Sequence, residues 1–402
     1  MAKNASKVGA LAGIGVAVAA VIVGGVVITN NIGKPNYEIT EEEASRKLDK
    51  LLHNISVSSS EPRKATVDFT NNDLANTLPD IDEYPLSITG DGQVNIEIFA
   101  SPEKAGSGTD GWLNEAAKTF NQQRERTSSG MTMSVSVRCI SSGMGSDYIV
   151  SGKYLPDAYT PSNSMWGTMA QANGAELSTV NGTDRLVGNV AGFLLEDDMV
   201  KTLTADYGEI TIETITRAAQ DGKVAMGYTY PYTSSTGLNF LLSSLYSFDS
   251  ADPLSAQAVS EFQKFQANVP FVCYTTQQMR GAMQSGSLNA CIMEYQTYCN
   301  DSTLQKKYDF HPFGARHDNP LYEVGNIGAD KEEVLRAFTE FCLSSEEQAA
   351  AARYGFNEMD SYTAKEPGFD AVTLLNAQQL WKEEKDSGKP VVAVFVADVS
   401  AV

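Results

Sequence analysis

The stretch whose reading decides the fold is Gly222–Ser243, GKVAMGYTYPYTSSTGLNFLLS. Its apolar run Val224–Gly227 reads as a buried strand. A tyrosine-rich segment follows, then the hydroxyls Thr233, Ser234, Ser235 and Thr236, then Gly237 and an apolar helix over Leu238–Leu245. A strand that ends in small hydroxyl residues at a helix start builds a pocket wall. The first N–H groups of the helix lack intrahelical partners there, and the positive end of its dipole faces the same way. An ordinary capped helix after a buried strand carries the same signature, because Ser and Thr are favoured caps. The rest of the chain has to decide between the two.

Toward the amino terminus the same grammar repeats. Val94–Phe99 (VNIEIF) and Met131–Cys139 (MTMSVSVRC) alternate as strands do, and Pro156–Tyr159 reads as a third, short strand. Each runs into small polar residues: Ala100–Gly106, Ser141–Ser146 and Thr160–Ser164. Trp112, Ala116 and Phe120 fall on one helical face, which predicts a helix over Asp110–Gln123 capped by Thr109 or Ser107. A further helix is predicted to start at Asp147. Strands alternating with helices give a parallel α/β sheet, and ligands of such sheets bind beyond the carboxyl ends of the strands. Ser101, Ser141, Ser142, Gly143, Ser162 and Asn163 stand at those ends and form one candidate wall. Tyr230, Thr233, Ser234, Ser235 and Thr236 form the other.

Downstream, Asn189–Leu195 reads as a strand or crossover, and Thr211–Gln220, Ser255–Ala267 and Thr275–Met283 as helices. Ala290–Tyr295 reads as a strand that runs into Gln296. Phe310–Gly328 reads as irregular, Lys331–Leu343 as a helix, and Ser344–Glu347 as a capping box for a last helix closed by Gly355. This order predicts one α/β lobe, a crossover near Val190, a second lobe, and a return near Glu294. Two lobes joined by two crossovers make a hinged cleft that closes on a ligand. Tyr295 and Gln296, at the return, complete the candidate ligand contacts. Hydroxyl and N–H groups hold a polar solute without full charge, and tyrosines stack on a sugar or cover an anion.

The 402-residue chain carries a net charge of −20, which excludes a nucleic-acid binder that needs a basic face. The charge suits a soluble extracellular surface. Five cysteines without paired C-x-x-C spacing predict buried thiols, with a disulfide from Cys273 to Cys291 or Cys299 left open. Three histidines are too few for a histidine-based metal site. No G-x-S-x-G turn or phosphate loop occurs, so the chain does not read as an enzyme and implies no cofactor. Val8–Ile28 is uncharged and long enough to cross a bilayer core of about 30 Å. Lys3 and Lys7 precede it and Glu38, Glu41, Glu42 and Glu43 follow, which places the first residues in the cytoplasm and the bulk outside. The long apolar core and the lack of a clear A-x-A site after it predict an uncleaved single-pass anchor rather than a signal peptide.

Five segments, IEIFASPEKAGSGTDGW, PDAYTPSN, SGSLNACIMEYQTY, ARHDNPLY and EEQAAAARYGFNE, together with the opening stretch, resemble the type II periplasmic (extracellular) solute-binding superfamily between Gln93 and Glu358. The resemblance implies a two-lobe periplasmic-binding-protein-like fold, a small polar solute or oxyanion in the cleft, and a membrane permease as the partner for uptake. A second resemblance lies in Lys389–Ser400, KPVVAVFVADVS, which is similar to the first strand of a von Willebrand factor A domain. That family follows the strand with a D-x-S-x-S metal motif. Asp398 and Ser400 match it, Val402 stands where the second serine would, and two such residues would not hold a metal alone. The two resemblances imply a membrane-anchored solute-binding module preceding an A domain of which the first strand is present. The expected organisation is therefore a cytoplasmic tip and transmembrane anchor (1–30), a tether and accessory region (31–92), lobe 1 (93–190 and 296–358), lobe 2 (191–295), a linker (359–388) and the A-domain strand (389–402). Transport or sensing of the solute is the leading function. A cell-surface adhesion or sensory scaffold with a surface partner and no transport role is the alternative.

Overall fold

The computed structural model describes residues 71–269, 271–286, 288–386 and 392–393. The anchor Val8–Ile28, the tether up to residue 70, and Asp398 and Ser400 lie outside the described residues. No helix among the described residues is long and apolar enough to cross a membrane.

Two mixed sheets carry the architecture. The first contains β1 (Leu86–Ile88), β2 (Val94–Ala100), β3 (Met133–Cys139), β4 (Ala158–Thr160), β5 (Leu177–Thr179) and β11 (Tyr322–Val324), in the order β1-β3-β2-β4-β11-β5. β2 runs parallel to β3 and β4, while β1 and β11 are antiparallel to their neighbours. Alternation explains β2: Val94, Ile96 and Ile98 face a core into which the helix Trp112–Gln123 presses Trp112, Leu113, Ala116, Ala117 and Phe120. That helix begins at Trp112, two residues after the expected Asp110, and neither Thr109 nor Ser107 caps it. A turn of 3-10 helix over Gly108–Asp110 intervenes, and Gly111 is the cap residue.

The second sheet contains β6 (Asn189–Glu196), β7 (Met226–Thr229), β8 (Phe271–Cys273), β9 (Ala290–Glu294), β10 (Tyr308–His317) and β12 (Val392–Ala393), in the order β10-β6-β9-β7-β8-β12. β7 is parallel to β8 and β9, and β6 is antiparallel to β9 and β10. Of the A-domain-like span, Val392–Ala393 is described, and it pairs in parallel with Phe271–Val272.

Two expectations are corrected here. Phe310–Gly328 is not irregular: it carries most of β10 and all of β11. Pro312 and Gly314 hide the strand in the sequence, yet β10 is a sheet edge, where proline removes no needed donor, and its pairing with β6 shifts register between Phe313 and Arg316. The chain therefore returns to the first sheet after His317, through Asp318–Leu321, and not near Glu294. The helix over Ser142–Ser151 also starts earlier than Asp147. Its two early glycines, poor helix formers, are set by close approach: Gly145 lies under the Tyr159 ring and Gly143 against the backbone of Tyr232.

The span 359–388 contains the helix Ala371–Asp386, whose Leu374, Ala377 and Trp381 are buried. The Trp381 indole donates to the Tyr228 hydroxyl at 2.6 Å. All five cysteines are free thiols.

Candidate functional site

The opening stretch builds one wall from its own chemistry. β7 ends at Thr229, and the helix Ser235–Phe248 starts directly after the turn through Tyr230–Thr233. Ser234 is the cap: its hydroxyl accepts from the Gly237 N–H and donates to Thr229 Oγ1 at 2.8 Å. Gly237 has to be glycine for contact reasons, because a Cβ there would strike the Thr229 carbonyl. The Thr233 hydroxyl donates to the Tyr274 carbonyl at 3.1 Å, which fastens the turn to the segment after β8.

The facing wall comes from the ends of β2, β3 and β4. Ser101 precedes a short helix over Pro102–Ala105, Ser141 and Ser142 open the helix after β3, and Ser162 and Asn163 follow β4. The Ser162 N–H donates to Ser142 Oγ at 3.1 Å, and the Ser162 hydroxyl donates to Glu103 Oε2 at 3.2 Å. Asn163 accepts from the Met165 N–H through Oδ1.

The two walls touch. Ser235 donates to Ser142 Oγ at 3.1 Å while accepting from the Trp166 indole at 2.9 Å. The Gly143 N–H donates to the Thr233 carbonyl at 3.1 Å. The Thr276 hydroxyl, from the helix Thr276–Gln284, donates to Glu103 Oε1 at 3.1 Å. Ser141, Ser142, Thr233, Ser234 and Ser235 enclose about 10 Å³ between them, the volume of roughly one water. A larger solute enters only when the walls separate. Pro102 and Thr275 connect this space to an open groove of about 1210 Å³, spanned by the ion pair of Arg280 with both oxygens of Asp110 at 3.1 Å.

Five of the thirteen sequence-selected residues line the enclosed space: Ser141, Ser142, Thr233, Ser234 and Ser235. Gly143 and Ser162 support them from directly behind. The others have different work. Ser101 Oγ accepts from the Lys104 ammonium at 2.6 Å. Thr236 points into the hinge and donates to Glu294 Oε1 at 2.5 Å. Tyr230 packs on Tyr232, Tyr274 and Trp381. Tyr295 does not line the space; its ring sits edge-on to Phe310. Gln296 bonds the Thr109 carbonyl and Asp110, tying the end of β9 to the facing lobe. Glu103, Trp166, Tyr274, Thr275 and Thr276 escaped the sequence reading. Glu103 follows Ser101 by two positions, and that proximity to a strand end was the available signal.

Ionisable groups crowd behind the walls. Burial pushes the Glu103 carboxyl above the usual carboxylate range, and the nearby Glu294 charge adds to the effect. Burial brings the Lys104 ammonium down to about 7. Its Nζ has three acceptors, Ser101 Oγ, Asn319 Oδ1 at 2.9 Å and the Pro161 carbonyl at 3.4 Å, so it faces away from the cleft. Glu294 and His317 form a fully buried pair at 2.6 Å at the hinge.

Two mixed α/β sheets whose strand ends face each other define a two-lobe, periplasmic-binding-protein-like fold. The model of the bacterial extracellular solute-binding protein family matches residues 105–357, and the chain belongs to that family. No curated protein matches the chain. Solved structures share the fold at low identity. A periplasmic thiamin binding protein matches with a TM-score of 0.54 and 11% identity, over 76% of this chain and 99% of its own. The periplasmic binding protein AfuA from Actinobacillus pleuropneumoniae, with fructose-6-phosphate bound, matches with a TM-score of 0.53 and 14% identity, over 72% and 98%. Iron-bound HitA from Pseudomonas aeruginosa matches with a TM-score of 0.50 and 13% identity, over 73% and 99%.

Proposed function

We propose that this chain captures a small polar solute between the Ser141–Ser142 wall and the Thr233–Ser235 wall, for uptake or sensing outside the cell. The observation that carries the reading is the converging hydroxyl chain Trp166–Ser235–Ser142–Ser162, in which each lobe supplies donors to the same enclosed point. Ser142 Oγ accepts twice there and directs its own hydrogen at the Ser162 hydroxyl, 3.5 Å away. The hydrogen bonds between the walls are polar contacts whose separation exposes groups that a polar ligand re-satisfies. Ser101, Asn163, Tyr230, Thr236, Tyr295 and Gln296 act in this reading as supports of the walls and hinge. The apolar span Val8–Ile28 would tether the protein to the membrane as a single-pass anchor.

A panel of sugars, polyols, amines, amino acids and oxyanions tests the reading by thermal stabilisation of the full chain. A solute present at 100 times its Kd stabilises the folded state by about 2.7 kcal/mol. The reading expects at least one such solute, with the effect weakened by Ser142→Ala. A melting temperature that no member of the panel moves would contradict it. A surface scaffold without transport is the second reading, favoured by the A-domain-like sequence Lys389–Ser400. It expects solute uptake by cells to be unchanged when this chain is deleted.

A further inference from the structure

We propose that Glu103 sets the class of solute: the cleft takes a ligand that presents a hydroxyl or ammonium hydrogen to the Glu103 carboxylate, and rejects a fully deprotonated tetrahedral oxyanion. The inference rests on the cleft reading above and narrows it. Among the residues that line the enclosed space, Glu103 is the one acidic or basic side chain. The nearest basic group, Lys104, spends its donors on Ser101, Pro161 and Asn319 behind the wall. Arg280, at the groove, is held by Asp110. Among the described residues no cation therefore faces the space to balance an incoming anion.

Glu103 is built as an acceptor. A carboxylate offers about four lone-pair sites. One hydroxyl donates to each oxygen, Ser162 to Oε2 and Thr276 to Oε1, and its own backbone N–H acts on the carboxylate too, which still leaves one lone-pair site of about four. Ser141 Oγ, beside it in the same lining, has no hydrogen-bond partner among the described residues. The groups facing Glu103 add to its demand for a donor. Glu294, from the end of β9, acts on it as a second negative charge, and one Glu294 oxygen has no partner among the described residues. His317 of β10 is taken up by Glu294, and Lys104 opposes both acids in part. Cys139, at the end of β3, is a thiol pushed up to about 12 by burial and so adds no charge at neutral pH. Asp110 is neutralised by Arg280. An added dianion would meet the Glu103 charge, with that of Glu294 behind it, in a space with room for about one water. A ligand hydroxyl or ammonium would complete Glu103 and keep it ionised, against the burial that raises its pKa.

The direction of the pH effect separates the two classes. A donor ligand needs the carboxylate, so its affinity falls as acid protonates Glu103. An oxyanion needs the protonated carboxyl, so its affinity rises toward acid. The experiment measures binding of glucose, glycerol, lysine, choline, sulfate and molybdate to the full chain, between pH 8 and pH 5, for wild type, Glu103→Gln and Ser142→Ala. The expected result is a hydroxyl- or ammonium-bearing probe whose Kd rises at least tenfold in Glu103→Gln, rises toward acid in wild type, and rises in Ser142→Ala. Sulfate or molybdate that binds, and binds tighter in Glu103→Gln or at acid pH, overturns the inference and leaves the cleft reading standing. Should Glu103→Gln fail to fold, the pH series of Lys104→Met, which removes the buried amine that titrates at about 7, decides between the two signs. A set of probes none of which binds, or whose hits ignore Ser142→Ala, overturns both.

Discussion

Gly143→Ala is the most revealing single substitution. Gly143 is the second residue of the helix Ser142–Ser151, and there alanine favours the helix by up to about 1 kcal/mol. Within its own lobe the change is therefore neutral or stabilising. Across the cleft it is not: the added methyl would overlap the Tyr232 carbonyl, a backbone atom with no rotamer to yield. The walls have to part. Parting them removes the Gly143–Thr233 and Ser235–Ser142 hydrogen bonds, each worth about 0.5–1.5 kcal/mol net. The balance between closed and open forms shifts by about 1–3 kcal/mol, or about 5- to 150-fold. Small-angle scattering should then give a larger radius of gyration for Gly143→Ala than for wild type. Denaturant unfolding should show no loss of stability in the lobe that holds the helix, and any cleft ligand should bind more weakly by the same factor. A scattering curve and a Kd indistinguishable from wild type would refute the reasoning that these walls meet at Gly143.

Three further substitutions probe other parts of the account. Asp110→Asn leaves Arg280 half-buried without its counter-charge; breaking such a pair is expected to cost about 3–5 kcal/mol in urea unfolding. Trp381→Ala is expected to cost about 3–5 kcal/mol, because the helix Ala371–Asp386 packs that ring on Tyr228 and Tyr230; a change below 1 kcal/mol would show the helix to be dispensable to the fold. Lys104 has a folded pKa of about 7, below its unfolded value, so the unfolded chain binds the extra proton between the two. Stability thus rises with pH above 7, by about 2 kcal/mol up to pH 9, and falls back as acid protonates the buried amine. Lys104→Met should remove that increment, and parallel stability–pH curves for the two proteins would contradict it.

Much of the fold is legible in the residues themselves. β2 and β3 announce themselves by alternation, the helix Trp112–Gln123 by its apolar face, and the helix after Ser344 by a serine that does cap the Glu347 N–H. Gly355, at φ 87°, sits in the conformation its place after a helix demands. β10 was hidden because local propensity counts Pro312 and Gly314 against a strand, while pairing at a sheet edge tolerates both. The candidate site was legible to the loop but not to the side chain. Ser235 and Thr236 are neighbours in sequence, yet one turn step on the helix sends the first into the cleft and the second to Glu294. Glu103 was missed for a related reason: next to Lys104 it reads as a solvated charge pair, and tertiary packing buries both, Glu103 against Thr276 and Lys104 against Ser101, Pro161 and Asn319.

The central claim is that one solute is clasped by both walls at once. Amide hydrogen exchange on the full chain, with and without a solute that raises its melting temperature, tests this most directly. The account predicts added protection in two segments together, Ser141–Gly145 and Thr233–Gly237, with the Gly143 amide among the most affected. Protection confined to one of the two segments, or to neither, would contradict it.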